Sequence, residues 1–241
     1  GMDNIDEIYC QENNINLINA PEGNRDAVAE HVIGMLLNLM RHISKSNAEI
    51  KNGIWLREEN RGIEIGGKTI GIIGYGNTGK ALAKKLSGFG VQVIAYDKYL
   101  TNYSDQFAQE VSLNELQNRA DIISIHVPLT VETKYLIDAA FLANLKTGVV
   151  ILNASRGPVL QTAALIQNIK SGKVAYAALD VLENEKIDEL NTIQQSEFDQ
   201  LCDESKVLLT SHIAGWTEAS YYKIAQVLAQ KTIQFFNKES N

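Results

Sequence analysis

The chain has 241 residues, 45% of them apolar and 21% charged, a composition ordinary for a globular α/β domain, or for one domain plus pieces of another. A formal net charge of −7 argues against nucleic-acid or anionic-membrane partners, which usually meet a basic surface. No apolar run approaches the ~20 residues of a membrane span, no signal-peptide pattern opens the chain, and isolated Cys10 and Cys202 without a C-x-x-C predict reduced thiols and a cytoplasmic setting.

In chain order, residues 15–18 read as a short strand without partners before it. A lone strand cannot bury its faces, so the opening segment resembles the tail of another domain. Residues 25–46 form the first long predicted helix. Val28, Val32, Met35, Leu36 and Leu39 make one apolar stripe, and Ala29, Ile33, Leu37 and Met40 a second. Such a helix must be covered on both sides, by its own domain and a subunit interface, or by one core enclosing it. Asp26 and Glu30 near its start and Arg41 and His42 near its end suit the helix dipole. His31 and His42 have no metal-type neighbour at ligand spacing and read as structural; no metal site is expected.

Residues 69–73 are a β-branched apolar run, the pattern of a buried parallel strand. Gly74-Tyr75-Gly76-Asn77-Thr78-Gly79 follows at once, then a helical stretch over 80–89 and a second strand over 91–96 that ends in Asp97. This is a βαβ unit with G-x-G-x-x-G at its first turn and an acid at the tip of its second strand. Gly74 permits the tight turn, Gly76 lets a pyrophosphate approach the backbone, and Gly79 lets helix and strand pack closely, with the phosphates on the helix N-terminus. A P-loop reading of the same stretch needs Ser or Thr where Ala81 stands, and leaves Gly76 and Asp97 without a role. The expected cofactor is a dinucleotide. Asp97 accepts hydrogen bonds from the adenosine ribose and repels a 2′-phosphate, favouring NAD over NADP, although Lys98 lies beside it.

Beyond Asp97 the alternation continues. Ser112-Leu113-Asn114-Glu115 is a capping box opening a short helix, and 121–126 is a strand. Asp138 caps a helix through 145, and 148–153 is a strand. A helix over 160–170 is closed by Gly172, followed by a strand over 174–181. Residues 186–205 read as loop and short helix, 206–210 as the last strand, and 217–236 as the final helix. About six strands alternating with helices predict an α/β fold, a Rossmann-type doubly wound parallel sheet. Its ligand crevice lies at the carboxyl ends of the strands. Those ends carry Asp97, His126 to Pro128, Arg156, Asp180 with Glu185 beyond it, and His212. An Arg, a Glu and a His on successive strand ends of a cofactor-binding sheet make a candidate catalytic site.

With these residues in hand the chain resembles the D-isomer-specific 2-hydroxyacid dehydrogenases, and within them the phosphoglycerate dehydrogenase branch. The likeness rests on NAPEGNRDAVAEHVIGMLL, GIIGYGNTGKALAKKL, HVPLTVETKYLI, ILNASRGPV, AALDVLENE and LLTSHIAGWTEAS, in the family's order and spacing from Asn19 to Ser220. The resemblance implies an NAD-binding domain over 25–213, whose helix 25–46 is also the interdomain and homodimer helix. It implies remnants of a second, flavodoxin-like substrate domain at both chain ends: 1–24, and a helix within 214–241 returning toward it. Members carry a further N-terminal half of that domain, so the sequence is expected to be a portion of a longer protein, its last helix having little to pack on.

The resemblance implies catalysis by Arg156, Glu185 and His212. It implies cofactor contacts from Gly74, Gly76, Asn77, Thr78 and Gly79, from Asp97 at the ribose, and from Val127 and Pro128 at the adenine. Ala154, Ser155, Arg156, Asp180, His212 and Gly215 would surround the nicotinamide, and Asn24 would join Arg156 and His212 at the substrate. Lys186 and Thr147 stand where members usually have Pro, a difference of loop stiffness more than chemistry. The activity implied is hydride transfer between NAD and C2 of a D-2-hydroxy acid, with 3-phosphoglycerate leading and hydroxypyruvate- or glyoxylate-type acids next. The rival expectation is a non-catalytic NAD-binding regulatory module of the same fold, like the family's transcriptional corepressors.

Overall fold

Seven parallel strands, in the order β3-β2-β1-β4-β5-β6-β7, carry the molecule; the computed structural model describes residues 2 and 4–239. They are β1 (Thr69–Ile73), β2 (Gln92–Tyr96), β3 (Gln109–Glu110), β4 (Ile122–Ile125), β5 (Val149–Asn153), β6 (Val174–Leu179) and β7 (Val207–Leu209). The helices are α1 (Glu7–Glu12), α2 (Arg25–Arg41), α3 (Ile43–Lys51), α4 (Asn77–Leu86), α5 (Leu113–Arg119), α6 (Ala139–Ala143), α7 (Thr162–Lys170), α8 (Thr192–Asp203) and α9 (Glu218–Glu239). The order reverses between β1 and β4, so this is a doubly wound Rossmann-type sheet whose crevice opens at that switch point.

Two cores line the two faces of the sheet. Ile70, Ile72, Val93, Ala95 and Ile122 pack with α2 and α4 on one face. Ile73, Ile94, Ile123, Ile125 and Ile151 pack with α5, α6 and α7 on the other. Each fully buried Ile contributes roughly 1.5–3 kcal/mol of transfer free energy, and alternation along every strand is what divides them between the faces. At Gly71 a Cβ would lie 2.9 Å from both Leu116 and Ala120 side-chain atoms, so the missing side chain is what lets α5 lie flat on β1.

Several expectations are corrected. Residues 15–18 form no strand, and Ile15 and Leu17 remain exposed; the regular element before them is α1, whose Asp6 cap accepts the Tyr9 N–H at 2.9 Å. The helix expected over 25–46 breaks at His42, which adopts a left-handed conformation (φ 53°, ψ 35°). The cause is competition for the ladder: the Met40 carbonyl accepts the Ile63 N–H at 2.8 Å, and the Asn38 carboxamide oxygen accepts the Ser44 N–H at 2.7 Å. Helix α4 begins at Asn77 rather than 80, because Gly76 is its cap. β3 is a two-residue edge strand without apolar signature. The segment read as loop and short helix contains the 12-residue α8, opened by an Asn191–Gln194 capping box.

Of the two stripes on α2, Val28, Ala29, Val32, Met35, Leu36, Leu39 and Met40 are buried within the chain, against α4, β6 and β7. Ile33 and Leu37 stay half-buried, flanking exposed Gly34. Helix α9 is exposed along most of its length and meets residues 19–24 along one line. Gly23 abuts the Ile224 backbone, and the Lys231 ammonium donates to the Asn19 carbonyl at 2.8 Å and pairs with Glu22 at 2.9 Å. No helix among the described residues is long and apolar enough to cross a membrane.

Candidate active site

β1 ends at Ile73, and the chain turns at Gly74 with φ +94°, where a Cβ would lie 2.7 Å from the His126 carbonyl oxygen; only glycine combines that backbone with that approach. At Gly79 a Cβ would meet the Gly74 carbonyl oxygen at 2.2 Å. Gly76 differs from both: exposed, at the cap of α4, with nothing within 4 Å of its missing Cβ. Two glycines therefore close the turn onto the helix, and the third leaves an unobstructed approach to the first turn of α4. N–H groups there lack intrahelical partners and the dipole favours negative charge, so this turn fits a pyrophosphate.

Asp97 follows β2. Its Oδ2 accepts the Tyr75 N–H at 2.9 Å, and Oδ1 accepts the Tyr99 and Leu100 N–H groups at 2.9 and 3.2 Å. A carboxylate has about four acceptor positions, so Oδ2 keeps one for a ribose hydroxyl. The Thr78 hydroxyl lies 3.2 Å from His126 Nδ1, and the Ser124 hydroxyl 2.8 Å from Nε2. Burial pushes the His126 pKa down to about 4, so the ring is neutral and bolts the glycine turn to β4. The Ser124–His126 spacing, two residues along a strand, was the available sign that both point to one face. Val127 is half-buried and Pro128 exposed on the loop that follows.

β5 delivers Asn153, 1% exposed, whose Oδ1 accepts the Ser155 N–H and hydroxyl at 3.1 and 2.9 Å and whose Nδ2 donates to the Arg156 carbonyl at 3.0 Å. This knot folds Ala154, Ser155 and Arg156 into a tight loop, with Arg156 Nη1 donating to the Ser155 carbonyl at 2.7 Å. Gly157 then presses onto the chain beyond β6, where a Cβ would lie 1.7 Å from the Leu182 carbonyl oxygen. The Arg156 loop and the 182–185 segment are thereby held in mutual register.

Asp180, 1% exposed after β6, organises the next loop. Oδ1 accepts the Thr210 hydroxyl and the Ile213 N–H (2.9 Å), and Oδ2 accepts the Ala214 N–H at 2.8 Å. Its carbonyl accepts the His212 N–H at 2.7 Å. These bonds hold His212 at φ +55°, a conformation costing a non-glycine residue on the order of 1 kcal/mol or more. His31 of α2 lies 3.1 Å from the Thr210 hydroxyl and 3.4 Å from Asp180 Oδ1. Neither Asn153 nor Thr210 stands out in the sequence, because each acts through loop backbone rather than through a motif.

The two glutamates after β6 part company. Glu183 accepts the Thr162 N–H and the Tyr135 hydroxyl, the latter at 2.8 Å. Glu185 turns to the other loop, its Oε2 2.9 Å from His212 Nδ1. Both partners are 45% exposed. A cavity of about 510 Å³ opens beside them, lined by Asp180, Glu185, Ile187, Phe198, Leu209 and His212 among others. Asn24, at the start of α2, stands against the same loop: a Cβ on Gly215 would be 2.6 Å from Asn24 Nδ2.

Residues 33–214 match the family described as D-isomer specific 2-hydroxyacid dehydrogenase, NAD binding domain. The chain is 35% identical over 240 residues to a D-3-phosphoglycerate dehydrogenase of Bacillus subtilis, covering 98% of this chain but 43% of that protein. It is 36% identical over 232 residues to a hydroxypyruvate reductase of Thermotoga maritima, covering 96% and 73% respectively. Among solved structures it superposes on a D-2-hydroxyisocaproate dehydrogenase with a TM-score of 0.86 and 32% identity, covering 99% of this chain and 74% of the other. A D-lactate dehydrogenase of Aquifex aeolicus complexed with NAD and lactic acid gives 0.86 and 30%, with the same coverage. NAD is the cofactor of this domain, and the open glycine turn with Asp97 beside it fits the nucleotide. The chain belongs to the D-isomer specific 2-hydroxyacid dehydrogenases, with their NAD-binding domain spanning most of its length.

Proposed function

We propose that the protein acts as an NAD-dependent oxidoreductase on D-2-hydroxy acids, with 3-phosphoglycerate the lead substrate and hydroxypyruvate- or glyoxylate-type acids next. The observation that carries this reading is the 2.9 Å contact between Glu185 and His212 on the carboxyl edge of the sheet that presents the dinucleotide turn. Similarity to a D-3-phosphoglycerate dehydrogenase and a hydroxypyruvate reductase supports the substrate class.

Gly74, Gly76, Asn77, Thr78 and Gly79 hold the pyrophosphate, Asp97 the ribose, and Val127 and Pro128 border the adenine. Ala154, Ser155, Asp180 and Gly215 shape the nicotinamide end. When bound, the cofactor supplies or takes the hydride at the substrate's C2. Arg156 grips the substrate carboxylate with its planar fork, a geometry lysine cannot reproduce, while Asn24 borders the substrate from α2. Reduction builds negative charge on the C2 oxygen. His212, with Nδ1 engaged by Glu185, presents Nε2 as the atom that gives a proton to that oxygen and takes it back in oxidation. Glu185 fixes the ring's orientation and balances the imidazolium charge.

For assembly, we propose a homodimer through α2 and α3. Half-buried Ile33 and Leu37 flank exposed Gly34 on α2, and Ile43 and Ile50 on α3 are 56% and 49% exposed.

The test is His212→Ala in the full-length protein, assayed with a panel of 2-keto acids and by NADH titration. Turnover should fall by ~10²–10⁴-fold, the usual worth of a general acid, with NADH still bound. Retained turnover would remove His212 from the chemistry. No turnover by the wild-type protein on any 2-keto acid, with NADH bound, would instead favour a regulatory nucleotide-binding role.

A further inference from the structure

Two lips flank the place where the adenosine lies. β2 and β4 sit on either side of β1, and the loops leaving their carboxyl ends are 97–100 and 127–133. Both are preorganised. In the first, Asp97 Oδ1 takes the N–H groups of Tyr99 and Leu100, an Asx-type turn that swings Lys98 and Tyr99 outward. In the second, the Thr130 N–H donates to the Thr133 hydroxyl at 2.8 Å, that hydroxyl donates to the Pro128 carbonyl at 2.6 Å, and the Lys134 N–H donates to the Thr130 carbonyl at 3.0 Å. These turns bring Glu132 to face the first lip. There its Oε2 accepts from the Lys98 ammonium at 2.7 Å and from the Tyr99 hydroxyl. Lys98 Nζ also lies 5.6 Å from the centre of the Tyr99 ring. The hydrogen bond between them holds the Lys98 ammonium above, and the Glu132 carboxyl below, their ordinary ranges.

Lys98 directly follows the acid that reads the ribose. A cation near the ribose is what a nucleotide site uses to accept a 2′-phosphate, and Lys98 offers one there on a flexible four-carbon stem. We propose that Glu132 is a specificity-determining residue for the cofactor: by holding Lys98 across the mouth of the adenosine pocket, it denies NADP the cation beside Asp97. NADP is then rejected twice, once by the Asp97 charge and once because its natural counter-charge is already neutralised. The inference rests on the NAD site described above and deepens it.

The experiment is a double-mutant cycle in the full-length protein: wild type, Glu132→Ala, Lys98→Ala and the double variant. NADH and NADPH dissociation constants are measured by fluorescence titration at low ionic strength, where exposed charges are least screened. The readout is the ratio of the two constants. An exposed ion pair restrains its partners only weakly, so Glu132→Ala should shift the ratio toward NADPH by about threefold to fivefold. In the Lys98→Ala background the same substitution should leave the ratio unchanged. An unchanged ratio in Glu132→Ala overturns the proposal. So does an equal shift with Lys98 absent, which would mean that Glu132 repels the phosphate directly. Failure of the wild-type protein to bind NADH at all would instead remove the pocket on which the proposal stands.

Discussion

Substituting Ala for Gly76 and, separately, for Gly79 tests whether the glycine turn holds a cofactor or only closes a fold. At Gly79 the new Cβ would lie 2.2 Å from the Gly74 carbonyl oxygen and 3.1 Å from Ile72 Cγ2, where ordinary contact starts at 3.4 Å. The obstacle is backbone, so helix α4 and the turn must part by roughly 1 Å in a close-packed interior. Overpacking against backbone, which cannot swing aside, falls in the upper part of the usual range at about 2–3 kcal/mol, partly offset by Ala's helix preference of about 1 kcal/mol; a net loss of about 1–2 kcal/mol is expected. At Gly76 the same methyl enters open space with φ −83°. Stability should stay within about 1 kcal/mol, since losing the glycine cap is offset by a stiffer unfolded chain. The methyl would, however, occupy the pyrophosphate approach. Loss of one charge-assisted hydrogen bond, about 1.5–3 kcal/mol, predicts an NADH dissociation constant raised by at least ~10-fold. Urea denaturation and NADH titration of both variants read the two effects independently. Wild-type NADH affinity in Gly76→Ala would refute the placement of the phosphates, and wild-type stability in Gly79→Ala would refute the packing argument.

Arg156→Lys keeps the charge and loses the fork, so kcat/KM should fall by ~10-fold or more in a keto-acid reduction assay while NADH affinity changes little. Burial pushes His126 down to about 4 in the folded chain, from the ordinary histidine value of about 6.5 that it regains on unfolding. Between these values the unfolded chain binds the extra proton, so stability present above pH 6.5 is lost as pH falls toward 4, by at most about 3 kcal/mol. His126→Asn should be less stable at pH 7 but lose less on acidification, seen in urea midpoints at pH 7 and pH 4.5. Gly34→Glu puts a charge where a Cβ meets nothing within 4 Å, between Ile33 and Leu37; sedimentation should show monomers of undiminished thermal stability. A dimer that persists would place the interface elsewhere.

The candidate site positions were legible in the sequence because they sit in motifs whose logic is local. A glycine at fixed spacing, an acid at a strand tip and a capping box at Ser112–Glu115 each answer to the backbone within a few residues. The β-branched runs likewise marked strands buried on both faces, which is why all but the edge strand β3 could be read. β3 has two polar residues and exists only because Ile94 and Ala95 offer it a ladder. The break at His42 was equally hidden, since the Ile63 N–H that takes the Met40 carbonyl lies more than twenty residues away.

The sequence by itself determined the strand–helix alternation and the dinucleotide turn, and its family resemblance supplied Arg156, Glu185 and His212 as the residues proposed to do chemistry. Only the tertiary structure showed how the neighbouring glutamates divide their partners, Glu183 turning to Thr162 and Tyr135 and Glu185 to His212, because that depends on which loop each backbone faces. It also decided how His212 is held, through four bonds to a buried Asp180. Local pattern follows from sterics and hydrophobic periodicity along the chain, whereas a hydrogen-bond partner is chosen by what packing brings within 3 Å, and that is settled only when both faces of the sheet are filled.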